Sequence, residues 1–163
     1  MNTGFTLIEL LVVVLIIGIL SSVALPQYNV AVAKSRLSGV MPLTKAFKAS
    51  QEMLFLANGA YEDKVDNMDI TYPADCESKG GGQLICGKYK YDVGHINVVG
   101  DVAGFTDING YMMHYDHAGN PGKIECLALS GNDTAARVCT SMGGVKGASV
   151  NSWVGKFDRY ELK

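Results

Sequence analysis

The side chains that could do chemistry in this 163-residue chain fall into a few groups, and each has a plain alternative. Cys76, Cys86, Cys126 and Cys139 all lie in the polar C-terminal portion. An even number of cysteines behind a membrane-type segment reads as two disulfides formed in an oxidising compartment. Zinc is the competing reading, and disulfides are favoured because no two of the cysteines stand as C-x-x-C. The run His114-Tyr115-Asp116-His117 puts two imidazoles and a carboxylate close together, as a metal corner would. On a strand, residues three apart point to opposite faces, which favours a surface or turn position. Asp63, Asp66 and Asp69 offer oxygen ligands of the kind calcium takes, but without the alternate-residue spacing of an EF-hand loop, so a solvated acidic loop is favoured. No G-x-S-x-G, P-loop, H-E-x-x-H or Cys/His nucleophile arrangement is present. The expectation is a protein with no catalytic site, no metal and no cofactor.

The remaining group is a single carboxylate, Glu9. Hydrophobic residues make up 48% of the chain and charged residues 18%, averages that conceal an uneven distribution. No charged residue occurs from Leu10 to Ala33, and every Lys and Arg lies at or beyond Lys34. Residues Phe5 to Leu25 are long enough to cross the hydrocarbon core of a bilayer as a helix, and they are apolar on every side. A secretory signal peptide would need a basic n-region and a small-residue cleavage site after the apolar run. Here the run is preceded only by Met1-Asn2-Thr3-Gly4, and the small residue, Gly4, comes before it. A carboxylate within such a helix costs about 2.5–3.5 kcal/mol on insertion scales, so Glu9 calls for a positive partner in the membrane.

Gly4-Phe5-Thr6-Leu7-Ile8-Glu9-Leu10, with the apolar run and Ala24-Leu25-Pro26 after it, resembles the start of a type IV prepilin. Tyr28, Lys34-Ser35-Arg36 and Ala57-Asn58-Gly59-Ala60-Tyr61 are similar to the helix exit of many bacterial pilins; beyond Tyr61 only architecture is shared. The resemblance implies that a prepilin peptidase cuts after Gly4 and that Phe5 becomes an N-methylated N-terminus. It also implies that Glu9 recruits the subunit by pairing with the Phe5 amine of a neighbour. Opposite charges in a dry bundle offset each other's desolvation only when they meet, so Glu9 would set the axial register between subunits. One departure stands out. Family leaders carry Lys or Arg before the Gly, whereas Lys34, Arg36, Lys45 and Lys48 here would all sit outside, against the positive-inside rule. Either the start lies upstream or a very short leader suffices.

These residues need a long helix to position them. After Pro26 the apolar positions Leu37, Val40, Leu43, Phe47 and Leu54 recur at helical spacing, with Lys34, Lys45, Lys48 and Glu52 on other faces. The pattern predicts one helix from Phe5 to Ala57, roughly 80 Å long, with kinks near Pro26 and Pro42 and a stop at Asn58-Gly59. Residues 58–87 read as a connective, acidic loop that Cys76–Cys86 can hold. Strands are expected at 88–93, 96–99, 111–115 and 123–129, with turns at Asn109-Gly110 and Asn120-Pro121-Gly122. Asp133 reads as the cap of a short helix, 134–142, whose Cys139 ties back to Cys126, and residues from Trp153 to Leu162 read as an edge strand. The fold class is therefore α+β, a pilin fold: a long N-terminal helix on an antiparallel sheet of three to four strands, with a disulfide-stapled C-terminal region. The chain divides into a leader, 1–4, a transmembrane and filament-core half-helix, 5–26, and a globular head, 27–163, with its sheet and C-terminal region at 88–163.

The functional expectation is a structural subunit of a type IV pilus, with a pseudopilin of a type II secretion or competence system as the alternative. A single-pass anchored binding module is a third reading, and it leaves Glu9 unexplained. Implied partners are other copies of the chain and related pilins, the prepilin peptidase, an inner-membrane assembly platform, and membrane lipid before assembly. The implied location is the bacterial inner membrane, then a cell-surface pilus or a periplasmic pseudopilus. A net charge of −2 gives no reason to expect nucleic acid as a partner.

Overall fold

A computed structural model describes residues 5–102, 109–152 and 155–163; Gly4 and Trp153 lie outside these. The long N-terminal helix runs as α1 (Leu7–Ser38) and α2 (Met41–Asn58), with the irregularity expected near Pro42 between them. Pro26 sits inside α1 without ending it. The break falls just before Pro42, which has no N–H to bond Ser38 and whose ring crowds that turn. There the ladder tightens, with Gly39 N–H on Arg36 O and Val40 N–H on Leu37 O, before α2 begins with Thr44 N–H on Val40 O. The buried stripe passes through the break uninterrupted: Ala33, Leu37, Val40, Thr44, Phe47 and Gln51 share one face. Gly59, at φ 73°, ends α2 in the left-handed conformation that a residue without Cβ adopts freely.

That stripe lies on a single antiparallel sheet of eight strands, twice the upper expectation. They are β1 (Cys76–Gly80), β2 (Gln83–Cys86), β3 (Tyr89–Val93), β4 (Asn97–Val102), β5 (Asn109–His114), β6 (Ile124–Leu129), β7 (Val145–Ser152) and β8 (Gly155–Leu162). Their order is β1-β2-β3-β4-β5-β6-β8-β7. The excess comes from places where the sequence has no alternating pattern. Residues 58–87, expected to be connective, contain the β1–β2 hairpin, and the glycine-bearing segment after α3 (Asp133–Ser141) forms β7. The C-terminal strand β8 is internal, paired with β6 on one side and β7 on the other, so β7 is the edge.

Helix and sheet approach closely: a Cβ on Gly100 of β4 would collide with Thr44 Oγ1 of α2. Phe47 meets Tyr91 of β3 with ring centroids 6.0 Å apart. Asn109 and Gly110, expected in a turn, are the start of β5; the buried Asn109 amide donates to Leu127 O, at 3.1 Å, and to Ala135 O, at 3.0 Å. Helix α3 is capped by Asn132, whose side chain accepts from Ala135 N–H, one residue before the expected cap. It covers the same face of the sheet as α1 and α2, and Lys34 of α1 donates to Ser141 O at its end. The opposite face carries a smaller apolar cluster of Met112, Leu127 and Phe157.

Candidate assembly site

The first turn of α1 is organised by a reciprocal cap. Thr6 Oγ1 accepts from Glu9 N–H at 3.3 Å, while Glu9 Oε2 accepts from Thr6 N–H at 2.8 Å and from Thr6 Oγ1 at 2.7 Å. The pattern T-x-x-E ahead of an apolar run predicts this capping box, and the carboxylate also complements the positive end of the helix dipole. Glu9 thus has a partner within its own chain, so a plain anchor helix does not leave it wholly unexplained. Its cost in lipid is lowered locally, since one backbone donor and one hydroxyl are satisfied by the same oxygen. Phe5 precedes the cap with its ring 81% exposed.

From this cap the helix runs clear of the head. No residue from Phe5 to Asn29 is buried, and Ala33 is the first that is. An 18-residue window of the helix has a mean hydropathy of 2.8, with none of it buried in the molecule. Large apolar side chains are left open to the surroundings, among them Leu7, Leu11, Leu15 and Ile19. A surface of this size and apolarity in one stretch needs lipid or other protein around it.

The other candidate residues lie in the head, away from this tip. Cys76 is bonded to Cys86 across the β1–β2 pair, and Cys126 to Cys139, joining β6 to α3, with Cα–Cα distances of 4.0 and 5.5 Å. His114 is buried rather than at the surface or in a turn: its Nε2 lies 3.0 Å from Glu125 Oε2, and Arg159 Nε donates to the same oxygen at 2.9 Å. Asp116 and His117 face elsewhere. The Asp116 carboxylate meets Lys48 at 2.7 Å, and the His117 ring stacks on Phe55 at 4.6 Å. Among the described residues no group of three His, Cys, Asp or Glu side chains is placed to hold a metal ion. Two residues of α2 hold polar contacts that no motif signals, Gln51 and Glu52. Gln51 Oε1 accepts from Glu62 N–H at 2.9 Å, and Glu52 accepts from Asp116 N–H at 2.7 Å and from Tyr61 Oη at 3.2 Å. They pin two loops to the helix; Gln51 is a polar residue on the buried stripe, whereas Glu52 lies beside it and carries no such cue.

Fold and site define a pilin-like α+β architecture: a disulfide-stapled head on one half of a long helical region whose other half is bare, apolar and capped by a carboxylate. Residues 1–25 match the family model of the prokaryotic N-terminal methylation motif. The chain is 46% identical over 56 residues to the type IV major fimbrial protein FimA of Dichelobacter nodosus, covering 34% of this chain and 36% of that one. It is 38% identical over 86 residues to the fimbrial protein EcpC of Eikenella corrodens, covering 53% and 49%. It is 36% identical over 76 residues to the type IV major pilin protein PilE1 of Neisseria gonorrhoeae, covering 45% and 46%. The chain thus spans half or less of the length of these curated relatives. No solved structure matches it significantly.

Proposed function

We propose that this chain is a structural subunit of a type IV pilus. It is made as a single-pass membrane precursor, cut after Gly4 by a prepilin peptidase, N-methylated at Phe5, and drawn from the inner membrane into a filament on an assembly platform. The observation that carries this reading is the bare half-helix from Phe5 to Asn29, charge-free except for Glu9 at its start. Lipid and a bundle of like helices are both apolar enough to cover it, so transfer between them loses little hydrophobic stabilisation. In a bundle, Glu9 of one copy can meet the Phe5 amine of another, which lipid cannot offer. On this reading residues 1–4 are the leader, 5–26 the membrane and filament-core segment, and 27–163 the head at the cell surface. The test is the intact mass of protein sheared from cells as filaments. It should correspond to loss of residues 1–4 and one added methyl on Phe5. A mature chain beginning near Ser21 or Ala24 would instead identify an ordinary signal peptide.

A further inference from the structure

Where the bare half-helix leaves the head, the molecule is basic. Between Glu9 and Glu52 the chain has no carboxylate, and the cations Lys34, Arg36, Lys45 and Lys48 fall in that interval. Lys48 is balanced by Asp116, at 2.7 Å. Lys34 is exposed and donates to a neutral acceptor, Ser141 O, at 3.0 Å. Ser141 ends α3, which packs on α1, so this contact places the C-terminal end of α3 at the level of Lys34. Arg137 is exposed on α3 one turn before Ser141, about 6 Å along the axis. The acid of that helix, Asp133, lies at its other end. Among the described residues neither Lys34 nor Arg137 forms an ion pair with a carboxylate. Two cations on adjoining elements therefore share one end of the head with their charge unbalanced.

We infer that Lys34 and Arg137 dock the head on anionic phospholipid headgroups, in the outer leaflet of the membrane that its half-helix spans. This rests on the single-pass precursor reading and adds a lipid contact to it. The helix from Glu9 to Tyr28 is about 28 Å long, close to the ~30 Å of hydrocarbon in a bilayer. Tyr28 is exposed, and amphipathic rings of its kind gather at the membrane interface. Lys34 follows about 9 Å further along the axis, and a helical side chain leans towards the N-terminus, here back towards the membrane. The polar layer outside the hydrocarbon is about 5–7 Å deep on each side, so the ammonium comes level with the lipid phosphates. Its bond to Ser141 O uses one of three donors and leaves two for a phosphate. The Arg137 guanidinium can take a phosphate with two parallel bonds. Cations that stand on the wrong side for the positive-inside rule thereby acquire a counter-charge outside.

The experiment reconstitutes the full chain into vesicles of phosphatidylcholine, alone or mixed with phosphatidylglycerol. A membrane-impermeant amine reagent modifies the outward-facing heads, and peptide masses give the modification of Lys34 relative to Lys45 and Lys163 of the same molecules. Phosphatidylglycerol should slow modification of Lys34 roughly fivefold against these references, and salt at about 0.5 M should remove the difference. Arg137→Gln, a change at an exposed position, should cut the protection of Lys34 to about half or less. Equal modification of Lys34 in both lipids, in protein that resists alkaline extraction, would overturn the docking and leave the membrane reading intact. Protection that Arg137→Gln leaves unchanged would reduce the effect to the general potential of an anionic surface, and would overturn the docking as well. Protein released from the vesicles by alkaline carbonate would overturn the single-pass reading, and this inference with it.

Discussion

At the scale of the residue, Glu9 caps its own helix, and the proposed function gives it a second role that a conservative change can separate from the first. As the N3 residue of a capping box it needs an acceptor, which Gln still supplies without the charge. As the partner of a neighbour's amine it needs a negative charge, which Gln lacks. Glu9→Gln should therefore leave insertion and cleavage unchanged, since removing a charge eases membrane residence. Filament yield should fall by at least tenfold in a strain with no wild-type subunit. A normal yield would reduce Glu9 to a cap and remove the registry role. The importance of this residue was legible in the sequence because a lone carboxylate in an apolar run is conspicuous. Its tie to Thr6 was legible in principle as well, through T-x-x-E. His114 was not legible: on a strand of the head, whether a side chain is covered depends on what packs over that face, which a local pattern does not encode.

Among the elements, the strands that sequence reading located, β3 to β6, each bury alternate side chains against the helix or are buried on both faces. Of the three strands with no such signal, β2 is only four residues long, and β1 and β7 are edge strands rich in small and polar residues, held by pairing on one side and, for β1, by a disulfide. Such strands leave no period-two trace because neither face must be apolar. Likewise the break between α1 and α2 follows from Pro42, but its position depends on the ladder tightening at Gly39 and Val40. The Cys126–Cys139 link is the one covalent tie between α3 and the sheet. It adjoins Asn109, whose amide already bridges β6 and α3. Replacing both cysteines by Ser should cost about 2–3 kcal/mol through the loop it no longer closes. Chemical denaturation of the purified protein measures this, and non-reducing peptide maps should show Cys76–Cys86 and Cys126–Cys139 in the parent. A crossed pairing such as Cys76–Cys139 would refute the connectivity.

For the molecule as a whole, the division of labour lies within a single helical region rather than between domains. The head's core takes its helical share from Ala33 onward, with Val30 packed at its margin, and nothing from Phe5 to Asn29 is buried. A chain starting at Tyr28 therefore retains every buried side chain of the head. Burial drives folding, and surface changes away from the core usually shift stability by no more than about 0.5 kcal/mol. Such a fragment, secreted to an oxidising compartment so that both disulfides form, should be monomeric and should unfold cooperatively. Its free energy of unfolding should match that of the full-length protein in detergent to within about 1 kcal/mol. It should also fail to enter filaments when expressed beside the full chain, because the apolar half-helix that a bundle would cover is gone. Size-exclusion chromatography and a denaturant titration decide the first point, and immunodetection of the fragment in sheared filaments the second. A truncated head that unfolds without a transition would mean that the bare half-helix stabilises the head from outside its core. A truncated head found in filaments would mean that contacts of the head alone can hold it there, and the half-helix would lose the assembly role proposed for it.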